Sequence, residues 1–268
     1  MKKFLLSDIL LIAIALVLTG CGKSNSNYKA KPFSVSASKQ VYFSPGNLQY
    51  HPANNVWRFA ESQLDYVGKA NENISSTYND WIDLFGWSVA SASFGVNTSI
   101  EDEDYYGSFV DWGTNKIGND APNTWRTFTY EEWYYLLYNR NNARSLCGIA
   151  QVNGVNGLIL LPDNWKCPSG VTFKSDANGN SNATYHADFQ TFTDKQWSKL
   201  ESAGAVFFPA AGDRFGANVD GVQNYGSYWS ATKKMSSGAF CFRFNHGGTG
   251  MAVYERLCGL SVRLVKDL

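Results

Sequence analysis

Near the end of the chain Phe240, Phe242 and Phe244 interleave with Cys241, Arg243 and Asn245. A period of two is that of a strand with one packed face and one solvated face. That pattern commits the stretch to β-structure. Two more strand-like runs, residues 227–231 and 260–265, flank it through glycine-rich connections. The phenylalanine face reads as aromatic core. The opposite face offers a thiol, a guanidinium and an amide, followed by His246, where a merely solvated surface would carry Lys, Glu and Ser. Residues 226–265 therefore read as a display surface, and the chain before them as anchor and scaffold.

The anchor is written at the other end. Lys2 and Lys3 precede an unbroken apolar run over residues 9–18, and Leu18-Thr19-Gly20-Cys21 matches the bacterial lipobox. Ten helical residues rise only about 15 Å, too little for a hydrocarbon core of roughly 30 Å. Residues 1–20 are thus expected to be a lipoprotein signal peptide and not a membrane span. The lipobox implies cleavage before Cys21 and acylation of that residue, a firm anchor once several chains are attached. An outer-membrane lipoprotein at the cell surface is the expected address. Residues 21–38 read as a flexible tether and residues 39–268 as one domain.

Charge narrows the partners. Lys plus Arg and Asp plus Glu both number 23, so no global field attracts nucleic acid. An exported chain can hold disulfides, and Cys147, Cys167, Cys241 and Cys258 allow three pairings between which no motif decides. None has C-x-x-C spacing, so no zinc site is expected, and no cofactor is called for. The acidic run Glu101–Asp104, with Asp111 nearby, lacks the ligand spacing of a calcium loop and reads as a solvated loop. His51 and His186 are isolated and read as loop residues.

The scaffold mixes strands and helices. Residues 40–43 and 48–50 flank Ser44-Pro45-Gly46-Asn47, a turn signal that predicts a β-hairpin, continued by a strand over 56–60. Residues 75–87 are ambiguous, and Trp81, Ile82, Leu84 and Phe85 fit a short amphipathic helix. Thr129 with Glu132 forms a capping box, with Phe128 and Trp133 as its hydrophobic staple. The same pattern returns at Phe192-Thr193-Asp194-Lys195-Gln196-Trp197, with a stop at Gly204. Residues 157–161 read as a strand that residues 171–173 could join, and 205–209 as another. Hairpin, helix, strands, helix and antiparallel strands make an α+β domain without βαβ alternation.

Taken as a set, the lipobox, VYFSPGNLQY, WIDLFGW, WRTFTYEEWYYLL, NGVNGLILLPDNW, AGAVFFPAAGDR, GSYWSAT and GLSVRLV resemble the Bacteroidetes major-paralogous-domain lipoproteins. These belong to the C-type-lectin-like group that includes the formylglycine-generating (sulfatase-modifying) enzymes. Over residues 39–268 the resemblance implies a C-type-lectin-like fold, two helices packed on antiparallel sheet, neighbouring termini and a loop-rich ligand region. The chain is also similar to variable proteins diversified by retroelements. That similarity implies variation at Cys241, Arg243, Asn245, His246, Glu255, Leu257 and Cys258, between Tyr228 and Arg263. With a partly exposed Tyr228 these residues form the expected ligand-binding set, for a protein or glycan ligand. Asp213, Arg214 and the loop 216–221 could contribute to the same surface, whereas Trp229 stands between core and site and Arg263 reads as a satisfied buried arginine. The sugar-coordinating triplets of calcium-dependent lectins are absent. Because no catalytic constellation is legible, the expectation is a binding protein and not an enzyme. The alternatives are an oxidase using Cys241 and Cys258, or a structural appendage subunit.

Overall fold

The computed structural model describes residues 28–89, 97–105, 107–175 and 190–268. The signal peptide, Cys21 and His186 lie outside them. Along the chain come β1 (Phe33–Ser34), β2 (Gln40–Phe43), β3 (Leu48–His51) and β4 (Val56–Phe59), then a long irregular stretch with short 3-10 turns. Helix α1 (Tyr130–Tyr134) runs on as a π-type turn through Asn139. It is followed by β5 (Cys147–Val152), β6 (Val155–Leu160), β7 (Gln190–Phe192), α2 (Asp194–Ser202) and β8 (Val206–Pro209). The remaining strands are β9 (Asp213–Phe215), β10 (Asn218–Asp220), β11 (Tyr225–Lys233), β12 (Gly238–Asn245), β13 (Gly248–Glu255) and β14 (Val265–Asp267). Two short helices among many strands make the protein α+β. The sheets run β1-β2-β14, β3-β4, β7-β5-β6-β8, β10-β9 and β11-β12-β13.

Both helices begin where the capping boxes place them. Thr129 and Thr193 each accept from the N3 backbone amide, while Glu132 and Gln196 reach back to the cap. The staple is closed too, with the Phe128 and Trp133 rings 4.5 Å apart. Helix α2 stops at Gly204, whose φ of +100° takes the left-handed turn that a side chain resists. Gly204 N–H donates to Glu201 O and Ala205 N–H to Leu200 O, the paired bonds of a Schellman ending.

Strand partners differ from expectation in three places. The Ser44–Asn47 turn does not close a hairpin: β2 pairs with β1 and β14, and β3 pairs with β4. The turn instead hands the chain from one sheet to the next, tied by Ser44 N–H to Leu264 O and Leu48 N–H to Val262 O. Residues 75–87 hold no helix. Ile82 and Tyr50 exchange backbone bonds, as do Phe85 and Leu260, so this segment is spent on β-bridges. Residues 171–173 form no strand, and β6 pairs instead with β5, which no alternating pattern announces, and with β8.

The stretch 21–38, expected to be a flexible tether, is folded into the domain from Tyr28 on. Phe33 and Val35 are buried, β1 is hydrogen-bonded into the sheet, and Tyr28 Oη donates to Phe43 O at 3.2 Å. The first strands and β14 thus share one sheet.

Two cores meet at β12. One gathers Phe43, Phe128, Trp133, Phe208, Tyr228, Phe242 and Phe244, with Trp133 stacked on Phe242 at 4.8 Å. The other gathers Trp57, Phe85, Trp112, Trp229, Ala239 and Cys241. Gly226 permits this packing, since a Cβ there would stand 2.4 Å from the Phe244 ring.

Buried polar groups bind the scaffold together. Arg263, fully interior as expected, donates to Gln63 Oε1 at 2.7 Å and to Asn47 Oδ1 at 3.3 Å, and Gln63 donates to Glu201 at 3.1 Å. Asp83 accepts from Asn71 Nδ2 at 2.9 Å and Val67 N–H at 2.8 Å. Burial outweighs these bonds and pushes its carboxyl up to about 6. A raised folded value means that the proton favours the folded state. The contribution of about 3 kcal/mol is present below pH ~4 and is lost as pH rises through ~6. Carbon-13 NMR should show the Asp83 carboxyl titrating near pH 6; a midpoint near 4 contradicts this.

Candidate functional site

The site grows out of the β11-β12-β13 sheet. Strands β12 and β13 meet through the two-residue turn His246-Gly247, with Asn245 opposite Gly248, Arg243 opposite Gly250 and Cys241 opposite Ala252. On the other side of β12, Tyr225, Ser227 and Trp229 stand opposite Asn245, Arg243 and Cys241. Directly opposed residues share a face, so this face runs from an apolar end at Trp229 and Cys241 to a polar end at Arg243 and Asn245.

At the polar end Arg243 is half-buried between two rings, its guanidinium 4.4 Å from the Tyr225 centroid and 5.7 Å from that of Tyr254. Its Nε is buried without a hydrogen-bond partner, and it forms no ion pair, among the described residues. Asp213 on β9 lies beside Tyr254, Tyr225 and Arg243. Burial raises its carboxyl above the ordinary range, against the pull of the two neighbouring phenols and of the Arg243 charge. Burial likewise raises the Tyr225 hydroxyl, and pushes that of Tyr254 up to about 12, with the Asp213 charge adding to both. The two tyrosines therefore stay protonated at neutral pH beside the carboxylate.

Beside the guanidinium lies an open trough of about 280 Å³, lined by Arg243, Asn245, Gly248, Thr249, Gly250 and Ala252 among others. Its glycines leave room. A Cβ at Gly248 would meet nothing within 4 Å, and one at Gly250 only Tyr138 Oη at 3.7 Å. His246 is exposed at the turn, Asn245 Oδ1 accepts from Gly247 N–H at 2.8 Å, and Glu255 is exposed at the far end of β13.

Four of the expected ligand residues are not on this surface. Tyr228, expected to be partly exposed, is fully buried. It lies on the opposite face of β11, donates to Pro209 O at 2.9 Å and accepts from Asn47 at 3.2 Å. Cys241 alternates outward from Phe242 but is also fully buried, because the tryptophan-rich core covers that end of the face. Leu257 and Cys258 turn back into the same core just after β13. Arg243, Asn245, His246 and Glu255 do reach solvent. Phe240, assigned to the core by period, is only partly buried and lies 4.2 Å from the Tyr130 ring.

Cys147, Cys167, Cys241 and Cys258 form no disulfide among the described residues, and only Cys167 is exposed. Burial pushes both the Cys241 and the Cys258 thiols up to about 12, so little of either is thiolate at neutral pH. A thiol reagent such as DTNB should therefore react promptly with Cys167 and reach Cys147, Cys241 and Cys258 only on unfolding. Prompt labelling of Cys241 contradicts the packing.

Asp213, half expected, belongs to the site, and Tyr225 and Tyr254 are additions to it. Tyr225 adjoins the motif GSYWSAT, and Tyr254 ends a strand that its own glycines disguise. Arg214 is buried and donates to Gly216 O at 2.8 Å, which makes it structural. Asp111 accepts from Gly113 N–H, Thr127 N–H and Thr127 Oγ1, and so ties a 3-10 turn to the strand-like approach to α1. His51 packs edge-on against Trp81 at 5.2 Å. No group of three or more His, Cys, Asp or Glu positioned to hold a metal occurs among the described residues, and none of their helices is long and apolar enough to cross a membrane. Comparison with family models, curated proteins and solved structures finds no match.

Proposed function

We propose that the protein is a lipid-anchored binding protein of C-type-lectin-like architecture, displayed at the cell surface through Cys21, in which the sheet β11-β12-β13 recognises a protein or glycan. The observation that carries this reading is Arg243, whose Nε is buried without a hydrogen-bond partner among the described residues and whose guanidinium lies between Tyr225 and Tyr254 beside an open trough. A buried donor nitrogen without a hydrogen-bond partner is costly unless a ligand completes its bond, and arginine with tyrosine is the common chemistry of interface anchors. The lectin-like reading draws support from the two capped helices, the loop-rich body and the pairing of β14 with β2. Membership of the major-paralogous-domain lipoproteins rests on the motif set.

Recognition by this patch involves no covalent step. Arg243 would accept a carboxylate, carbonyl or hydroxyl group at its free donors, Asn245 and His246 would line the approach, and Glu255 would select against acidic neighbours. Diversification, where it operates, would act on these four solvent-facing positions. Thiol chemistry at Cys241 and Cys258 is disfavoured by their burial in the aromatic core. The direct test is to display the whole lipoprotein and its Arg243→Ala variant on cells and compare the partners that each captures. Identical capture by both defeats the proposal. A near-copy of the coding sequence for residues 226–265 beside a reverse transcriptase gene would mark the segment as diversified.

A further inference from the structure

We infer a second, independent binding site, for a neutral sugar residue, in the polar hollow between the end of the α1 π-turn and the turn after β6. The hollow has a volume of about 360 Å³ and is lined by Tyr135, Arg140, Asn141, Asn142, Asn164 and Trp165, among others. That is within the span of small-molecule sites, about 300–1,000 Å³.

Its floor is rigid and internally neutral. Asp163 Oδ2 accepts from Ser34 N–H at 2.7 Å, Ser34 Oγ at 2.6 Å and Gln40 Nε2 at 3.0 Å, while Oδ1 accepts from Arg140 Nη1 at 3.2 Å. Arg140 Nε donates to Leu136 O at 2.9 Å. Nη2 of the same guanidinium is buried and has no hydrogen-bond partner among the described residues. Charge is thus paired, and one donor is left over.

The rim is different. Asn141, Asn142 and Asn164 are exposed, Tyr135 and Trp165 half-buried, and none of their side chains makes a hydrogen bond among the described residues. Each carboxamide offers both donors and an acceptor, the phenol one of each, and the indole a donor. A dense set of neutral donors and acceptors beside an indole and a phenol ring suits a ligand with many hydroxyls and one apolar face, as a pyranose has. An anion would have to compete with Asp163 for Arg140, and a cation with Arg140 for Asp163.

The experiment uses nitrogen-15 NMR of the folded domain with four probes: the methyl glycosides of glucose, galactose and mannose, and N-acetylglucosamine. At least one should shift the Trp165 indole and the rim carboxamides saturably, with a Kd on the order of 1 mM. Trp165→Ala should weaken it at least tenfold, and Arg243→Ala should leave it unchanged, which separates this site from the β11-β12-β13 patch. Because Trp165 also packs against the α2 core, Asn141→Ala serves as a second variant and should weaken binding severalfold with an unaltered melting curve. The inference is overturned if no probe gives a saturable shift at ~50 mM, if the shifts map to Arg243 instead, or if both variants bind as wild type does.

Discussion

Replacing Arg263 by Met is expected to cost about 3–5 kcal/mol, which for a domain of this size lowers the melting temperature by roughly 10 °C. Arg263 is interior, its guanidinium over the Phe208 ring at 5.6 Å, and its two donor bonds reach Gln63 and Asn47. Burial lowers its pKa to about 10, so it remains charged at neutral pH. Gln63 in turn donates to buried Glu201 on α2 and accepts from Phe207 N–H at 3.0 Å. One network therefore joins the last extended segment, the turn before β3, α2 and β8. Removing the cation takes away a positive charge that acts on Glu201 and leaves the Gln63 and Asn47 oxygens short of a donor. Adding Glu201→Gln to Arg263→Met should recover part of the loss, as a double-mutant cycle by calorimetry would show. Strict additivity of the two changes would mean that the network does not couple.

The second large effect is on binding and not on stability. Arg243→Ala should weaken capture of the surface partner by at least ~30-fold, the loss expected of an arginine anchor. It should cost only about 1 kcal/mol of fold stability, the worth of its cation–π contacts. The contrast with Arg263 follows from partners. Arg263 has its hydrogen bonds inside the protein, whereas Arg243 has rings around it and open space beside it. Alanine at Asn245, His246 or Glu255 should each cost less, because rim contacts mainly exclude water. Measured affinities unchanged in Arg243→Ala would move the recognition surface elsewhere.

Legibility followed locality. Both helix starts, and the end of α2, were readable to the residue because a capping box and a Schellman glycine are contained in one or two turns of chain, whereas the π-type continuation of α1 to Asn139 carried no such signal. The α+β class was readable for the same reason. Strand partnership was not: Ser44-Pro45-Gly46-Asn47 specifies that the chain turns, but Leu264 and Val262, more than 200 residues away, decide what it turns against. The same limit explains the site. Alternation along β12 sets Phe242 and Phe244 against Cys241 and Arg243, as read. It says nothing of what covers each face. Tyr50, Trp57, Phe85, Trp87 and Trp112 belong to the core cluster that holds Cys241, whereas Arg243 is half-buried. The resemblance-based set inherited that blindness and mixed Cys241, Leu257 and Cys258 with the truly solvent-facing positions. Tyr225, Tyr254 and Asp213 come together only in three dimensions, from three strands.

One face of β12 passes from interior to solvent between Cys241 and Arg243, and on the proposed reading that is where the recognition surface begins. Thermal unfolding of Cys241→Asn beside Arg243→Asn tests it most directly. An amide buried without partners costs about 2–4 kcal/mol, so Cys241→Asn should melt roughly 10 °C lower. Arg243→Asn should stay within about 3 °C of wild type. Equal tolerance at the two positions, or a larger loss at Arg243, would contradict the account.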